Sequence, residues 1–311
     1  MNSSAWKKDY IRYIRLNLWI DANSQGYNKH QIYELNNCIT RFFISRSLPD
    51  ADENKVYAKF VQELKDKKLK PCTSLREFEK YSEVYVPSHF DVTVNTDNVL
   101  FVCGEFEGEI TRERYEVLRV VGSDEEILCM LLRYTTFSSG SFGWQVPLKV
   151  YKCLHEKHGL TLEGCASPIN SQMKLIDCFG GRYCSPFIED GIFGSMGSIF
   201  DTDLEGEIVL LNPPFVEDFM LYLAKKVIEV LDLAVKSTTI IFVTPQWVDA
   251  ESHMLLSNCK WLINKYDLLK GRYGYAESTK GCIIKATFNS TVFVLSTTGI
   301  DISSAIELFK V

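Results

Sequence analysis

The apolar positions of the first seventy residues recur at the spacing of a helix. Trp6, Tyr10, Ile14 and Leu18 form one stripe, Ile32, Leu35, Ile39, Phe42 and Phe43 a second, and Val56, Phe60 and Leu64 a third. These stripes predict a small helical bundle, punctuated at Ser47-Leu-Pro-Asp and at Pro71-Cys-Thr-Ser. Residues 83–105 then read as extended chain, in VYVPSHFDVTV and NVLFVCG.

From about residue 108 helices and strands alternate. The pattern predicts helices over Arg112–Val121 and Glu125–Tyr134, a glycine–serine loop over Phe137–Gly143, and a helix near Val146–His158. Apolar runs predict strands over Leu160–Cys165, Gly206–Leu211, Thr238–Thr244 and Ser290–Ser296, with Cys282–Phe288 pairing near the end and a helix over residues 215–236. Such alternation with short connections implies an α/β fold with a mostly parallel, doubly wound sheet. The expected organisation is a helical region over residues 1–105 followed by an α/β domain over 106–311.

Composition adds limits. A chain of 311 residues that is 46% hydrophobic can bury a large core. Its apolar runs are all shorter than the ~18–20 residues of a membrane span, and MNSSAWKKDYIRYIRL has no apolar signal core. Ten cysteines without Cys-x-x-Cys spacing point to reduced thiols in an intracellular protein, nuclear or cytoplasmic, rather than to zinc or disulfides. His155-Glu-Lys-His158 lacks the i, i+4 histidine spacing of a zinc helix, so no metal is expected. A net charge of −6 argues against a broad nucleic-acid-coating surface but leaves room for a small basic pocket. The best candidate patch is Lys7, Lys8, Arg12 and Arg15 with Arg41 and Arg46, which would bind 5′ phosphates or would simply be a solvated face.

The most informative stretch is GEIVLL-NPPF-VEDFM, an apolar strand running into Asn212-Pro213-Pro214-Phe215 just before a helix. Ligands of open α/β sheets bind at the carboxyl ends of strands. An exocyclic amine is a poor nucleophile because its lone pair is delocalised into the ring. Two acceptors, the Asn212 side-chain oxygen and the Pro213 carbonyl, can hold its two N–H bonds and direct that lone pair outward. Prolines make the turn rigid and donate no N–H, and Phe215 offers an aromatic face worth about 1–3 kcal/mol to a stacked base. The pattern is shared by amino-methyltransferases acting on adenine, cytosine or glutamine, and by itself does not name the substrate.

Some 47 residues earlier, Leu160-Thr-Leu-Glu-Gly-Cys-Ala-Ser-Pro-Ile-Asn170 is again a strand ending in a small-residue turn. Ser141-Phe-Gly-Trp-Gln-Val-Pro147 opens a helix with Pro147 at its first turn, and Asp190-Gly-Ile-Phe-Gly-Ser-Met-Gly197 lies between the two halves. The residues of these turns, Pro147, Phe193 and Gly194 among them, are either structural or cofactor contacts.

Together LLRYTTF, WQVPLKVYKCLHEKHGLTLEGCASPIN, RYCSPFIEDGIFGSMGSIFD, LLNPPFVEDFM, IIFVTPQWVD and IIKATFNSTVFVL resemble the catalytic region of the phosphorylated CTD-interacting factor family, in the same order over roughly residues 108–296, about 60% of the chain. The resemblance implies a Rossmann-like class I methyltransferase core preceded by a helical region that helps hold a capped RNA end. It implies S-adenosyl-L-methionine as cofactor, with contacts at Gln145, Ala166, Ser167, Pro168, Asn170 and the Asn212–Phe215 turn. It implies substrate contacts at Glu217 and Trp247, and a place for Tyr273 and Tyr275 lining the cofactor or the target base. For Glu217 the alternative is a carboxylate complementing the helix dipole, and for Trp247 a core position. Lys285 and Asn289 read as structural.

The activity implied is N6-methylation of the first transcribed (2′-O-methyl)adenosine beside the mRNA cap. N6-methylation of adenine in DNA or internal RNA, or a catalytically silent binding subunit, stays open. The sequence departs from the family in reading Cys165-Ala-Ser-Pro for Phe-Ala-Ser-Pro and Pro245-Gln-Trp for Pro-Glu-Trp. Trp6 and Trp19 fall in helical patterns and do not make a WW module, so recruitment to a phosphorylated polymerase tail is not expected.

Overall fold

A computed structural model describes residues 5–71, 73–81, 84–137, 144–277 and 281–311. Apart from Phe137, the expected glycine–serine loop lies outside them. By its internal contacts the chain divides into two compact units, Met1–Phe142 and Gly143–Val311.

The first unit opens with three helices, α1 (Ala5–Asn23), α2 (Lys29–Arg46) and α3 (Glu53–Asp66). Asn28 caps α2 in a capping box with Gln31, and Asp52 caps α3. Leu35, Ile39, Phe42, Phe60 and Leu64 are buried in one cluster with Leu16 and Trp19 of α1. The expected α1 stripe holds at Trp6, Tyr10 and Ile14, but Leu18 is 40% exposed and Leu16 and Trp19 are buried in its place. Each i, i+4 step advances the stripe by about 40° at 3.6 residues per turn, so a fourth member drifts off the face. A second face of α1 carries Leu16 and Trp19 into the α2–α3 cluster, and the Trp19 indole donates to the Ser74 carbonyl at 3.2 Å.

The extended chain that follows becomes an antiparallel sheet of β1 (Asp91–Val94), β2 (Asn98–Cys103) and β3 (Phe106–Thr111), and α4 (Arg112–Arg119) and α5 (Asp124–Phe137) come next. The unit therefore does not end at residue 105. β2 and β3 pair from Asn98↔Thr111 to Cys103↔Phe106, α5 packs on α1, and Arg133 of α5 holds Asp9 of α1 at 3.1 Å.

The second unit contains β4 (Trp144–Gln145), α6 (Leu148–His158), β5 (Leu162–Glu163), α7 (Met173–Ile176), β6 (Ile208–Leu211), α8 (Glu217–Leu233) and β7 (Thr239–Pro245). It continues through α9 (Glu251–Ser257), β8 (Leu262–Leu268), β9 (Gly274–Glu277), β10 (Cys282–Lys285), β11 (Ser290–Ser296) and α10 (Ser303–Ile306). Its main sheet has the order β5-β6-β7-β11-β8. Strands β5, β6 and β7 are parallel, but β11 is antiparallel to both neighbours, so the sheet is mixed rather than mostly parallel. The reason is the connection: β8 returns as β11 through the β9–β10 hairpin with no crossover helix, and a strand reached that way runs antiparallel.

Parallel single-residue bridges Glu163↔Tyr183 and Tyr183↔Ser195 continue the sheet beyond β5. Every residue of β7 and β11 is buried, as a central strand covered on both faces requires. Val150, Leu154, Ile241, Val243, Val292 and Val294 fill one face, and Leu223, Val227, Ile240, Phe242, Phe293 and Leu295 fill the other. Among the described residues no helix is long and apolar enough to cross a membrane.

Candidate active site

Because β5, β6 and β7 are parallel, their carboxyl ends share one edge of the sheet, which carries the turn after Glu163, the Asn212–Phe215 turn and Trp247. At the end of β5, Gly164 donates its N–H to the Leu210 carbonyl at 2.9 Å. A Cβ there would lie 2.2 Å from Leu211 Cδ2, so a larger residue would have to push the buried Leu211 side chain aside.

The buried Glu163 carboxylate accepts from Ser171 Oγ at 2.9 Å and from the Met173 N–H at 3.1 Å. It also bonds the Tyr151 hydroxyl, whose pKa is pushed well up by burial and by this carboxylate. Inside the turn, Asn170 Oδ1 accepts from the Ser167 N–H at 2.6 Å and from Ser167 Oγ at 3.0 Å. Ala166 N–H donates to the Cys184 carbonyl at 2.9 Å. The Asn170 side chain thus braces the Ala166–Pro168 turn from within. Pro147 is the residue just before α6, its N-cap, rather than inside the first turn.

Asn212 follows β6 directly, and its Nδ2 donates to the Trp144 carbonyl at 3.1 Å. Its Oδ1 is buried and finds no hydrogen-bond partner among the described residues, and the same holds for Oε1 of Gln145, one residue beyond Trp144. β4 is held by pairing with β9, Trp144↔Glu277 and Gln145↔Ala276.

An aromatic layer backs the turn. Trp144 stacks on Tyr275 (6.1 Å, 25°) and Phe288 (6.5 Å, 8°), while Phe215 meets Tyr275 at 6.1 Å and Phe288 at 5.8 Å edge to face. Such pairs add about 0.5–1.5 kcal/mol each beyond their buried area.

Several expected residues have partners within the protein. Tyr273 and Tyr275 are buried, both hydroxyls meet Ser290 Oγ at 2.7 and 2.9 Å, and burial pushes both phenols up. Tyr275 packs edge to face against Phe215, and Tyr273 packs against Tyr275. Both oxygens of Glu217 are taken by Ser252, from its N–H and from its hydroxyl. Phe193 is buried, and Gly194, at φ +84°, closes the 3-10 helix over Ile188–Phe193 in a left-handed turn. The Tyr183 hydroxyl donates to the Phe193 carbonyl at 3.3 Å, and a Cβ at Gly194 would meet Lys174 Nζ.

Trp247 is 44% exposed, not core. Its turn is pinned by Asn289, which donates to Gln246 Oε1 at 3.0 Å and accepts the Lys270 N–H at 2.8 Å. Three of the six residues of the expected basic patch face carboxylates: Arg12 pairs with Glu79 at 3.3 Å, Arg41 with Glu63 at 3.1 Å and Arg46 with Glu53 at 2.7 Å. Arg15 Nε is buried without a partner among the described residues. Trp144, Glu163, Phe288 and Ser290 lie within the family-like segments but are given no role by the sequence; their places arise from long-range pairing.

A parallel half-sheet continued by bridges beyond β5, an antiparallel strand inserted next to the last, and an Asn-Pro-Pro-Phe turn at the end of β6 make an α/β fold that resembles the class I methyltransferases. Residues 116–278, just over half of the chain, match the family model described as "Phosphorylated CTD interacting factor 1 WW domain", and the chain belongs to that family. The mouse and human proteins named mRNA (2′-O-methyladenosine-N(6)-)-methyltransferase are each 33% identical to it over 129 residues, 39% of this chain and 17% of theirs. The chain therefore aligns with about a sixth of the length of these relatives. A solved structure described as a class I S-adenosylmethionine-dependent methyltransferase of Listeria monocytogenes is 8% identical, with a TM-score of 0.34 over 94% of this chain and 88% of that one.

Proposed function

We propose that this chain is an S-adenosylmethionine-dependent N6-methyltransferase of adenosine in RNA, acting on the first transcribed adenosine beside the cap. The observation that carries the reading is Asn212 Oδ1, a buried acceptor without a protein partner among the described residues, at the carboxyl end of β6. An unsatisfied buried acceptor costs about 1–3 kcal/mol, and an N–H of the target amine relieves it. The Pro213 carbonyl takes the second N–H, so the nitrogen lone pair points away from both. The partly buried ring of Phe215, braced by Tyr275 and Phe288, gives the base a face to stack on.

The cofactor would be held by the braced Ala166–Asn170 turn and by Gln145, whose buried Oε1 accepts a donor. When bound, S-adenosylmethionine supplies a methyl group activated by its sulfonium. The exposed Trp247 stacks on the substrate. The adenosine-in-RNA target is supported by the names of the mouse and human relatives, mRNA (2′-O-methyladenosine-N(6)-)-methyltransferase; the cap reading rests on the motif resemblance.

The test uses labelled methyl donor with capped RNA beginning in A or in G, and with uncapped RNA carrying internal adenines. The expected result is label in the capped A-initial RNA only, with Asn212→Ala about 10²–10³-fold slower and still folded. Equal labelling of A- and G-initial RNA would overturn the target adenosine. Comparable labelling of uncapped RNA would overturn the cap.

A further inference from the structure

The Asn212 amide can be flipped in two ways, and the two present opposite chemistry to a ligand: one an acceptor, the other a donor. Its neighbour at 3.1 Å is a main-chain carbonyl, that of Trp144. A carbonyl oxygen only accepts, so the flip that faces Nδ2 toward it gains a hydrogen bond and the opposite flip sets two acceptors against each other. The free group is then Oδ1, which is the atom found buried and without a partner among the described residues.

Trp144 is held by more than chain continuity. Its strand pairs with β9, and its indole lies parallel to Phe288 and nearly parallel to Tyr275, the ring layer that also backs Phe215. The carbonyl is therefore a fixed reference for the amide, not a group that follows it.

We propose that the Trp144 main-chain carbonyl is the positioning group of this site: it locks the Asn212 amide with its oxygen toward the substrate, so position 212 requires asparagine and the site admits only a hydrogen-bond donor. The proposal rests on the amino-methylation reading for its function, though not for its geometry. Aspartate at 212 keeps the size and the outward acceptor but faces a second acceptor toward Trp144. Only the protonated carboxyl, donating its O–H to the Trp144 carbonyl and accepting from the substrate, restores the wild-type pattern.

Two measurements on the 311-residue chain test this. The first is methyl transfer as a function of pH. Asn212→Asp is expected to be about 10²-fold slower than wild type at pH 8.5 and to recover about tenfold per pH unit lowered, relative to the wild-type profile. Tyr273, Tyr275, Glu217 and Glu277 on the neighbouring elements are common to both proteins, so the ratio isolates residue 212. Trp144→Ala, which strips the stack, is expected to lower kcat about 10- to 100-fold, and Trp144→Phe to restore it to within about threefold. An Asn212→Asp protein with near wild-type rate and an unchanged pH profile overturns the proposal and leaves the methylation reading standing.

The second measurement needs no activity. In the 15N-labelled chain, the side-chain amide pair that disappears in Asn212→Asp is expected to exchange slowly with solvent, to exchange faster in Trp144→Ala, and to stay slow in Trp144→Phe. Fast exchange in the wild type overturns the proposal whatever the enzyme does. Absence of methyl transfer from the wild type, with slow exchange, overturns the methylation reading alone.

Discussion

Both carboxylate oxygens of Glu217, in the first turn of α8, lie 2.7 Å from Ser252 in the first turn of α9, one from its N–H and one from its hydroxyl. The pair ties the helix that follows β6 to the helix that follows β7, behind the edge where Asn212 and Trp247 sit. Hydrogen bonds to a charged group contribute about 1.5–3 kcal/mol. Glu217→Ala is expected to lower stability by about 2 kcal/mol and Ser252→Ala by about 1 kcal/mol, with the double variant losing less than the sum because one contact is removed twice. Denaturant unfolding of the single and double variants measures this. A Glu217→Ala protein of unchanged stability but raised KM for RNA would return the residue to a substrate role.

The arginines of the first unit carry a second prediction. Arg12 and Arg46 each face a glutamate at the protein surface, and such exposed pairs contribute about 0–1 kcal/mol. Arg12→Ala and Arg46→Ala are expected to change stability by less than about 1 kcal/mol and to leave the salt dependence of RNA binding as it is. A lost phosphate contact on single-stranded RNA would reduce the slope of log K against log salt by about 0.7, and a drop of that size in either variant would restore the phosphate-binding reading.

His253 of α9 is expected to set an acid limit on stability. It is 5% exposed, its ring meets Phe293 edge to face at 5.0 Å, and its Nδ1 has no partner among the described residues. Burial lowers its pKa, Lys265 acts in the same direction, and Asp267 and Glu217 oppose them. A histidine held neutral in the fold gains protons more readily when unfolded. Its contribution is thus complete above the unfolded value of about 6.5 and is lost as pH falls below it. Replacing the ring with one that cannot titrate, His253→Phe, is expected to flatten the decline of the unfolding midpoint between pH 7 and pH 5. A wild-type-minus-variant difference that stays constant with pH would assign the acid sensitivity to another group.

Much of this arrangement is legible in the chain itself. The runs that become β6, β7 and β11 have apolar centres, IVLL, IIFV and VFVL, because these strands are covered on both faces, and burial of that kind is written in local composition. Asn-Pro-Pro-Phe stands out because two prolines between a strand and a helix leave few backbone choices. The helices of the first unit follow from periodicity and from caps at Asn28 and Asp52. Less legible are the residues whose roles depend on what crosses to meet them. The burial of Tyr273 and Tyr275 and the meeting of both hydroxyls with Ser290 are not written in their local sequence. Arg12, Arg41 and Arg46 look like a patch until Glu79, Glu63 and Glu53 come opposite them.

By itself the sequence determined the helices of the first bundle and the strands β6, β7 and β11, though not α9 or β8, together with the place of the Asn212 turn at the end of an apolar strand and the family to which the motifs belong. These depend on side-chain spacing over a few residues. Only the tertiary structure decided that β11 runs antiparallel, that the first unit extends to residue 142, and that a carbonyl 68 residues away in sequence faces the Asn212 amide. Periodicity records which face of an element is buried but not which element buries it. A main-chain carbonyl is the same in all twenty residues, so its part in orienting Asn212 leaves no trace in the sequence until the chain closes around it.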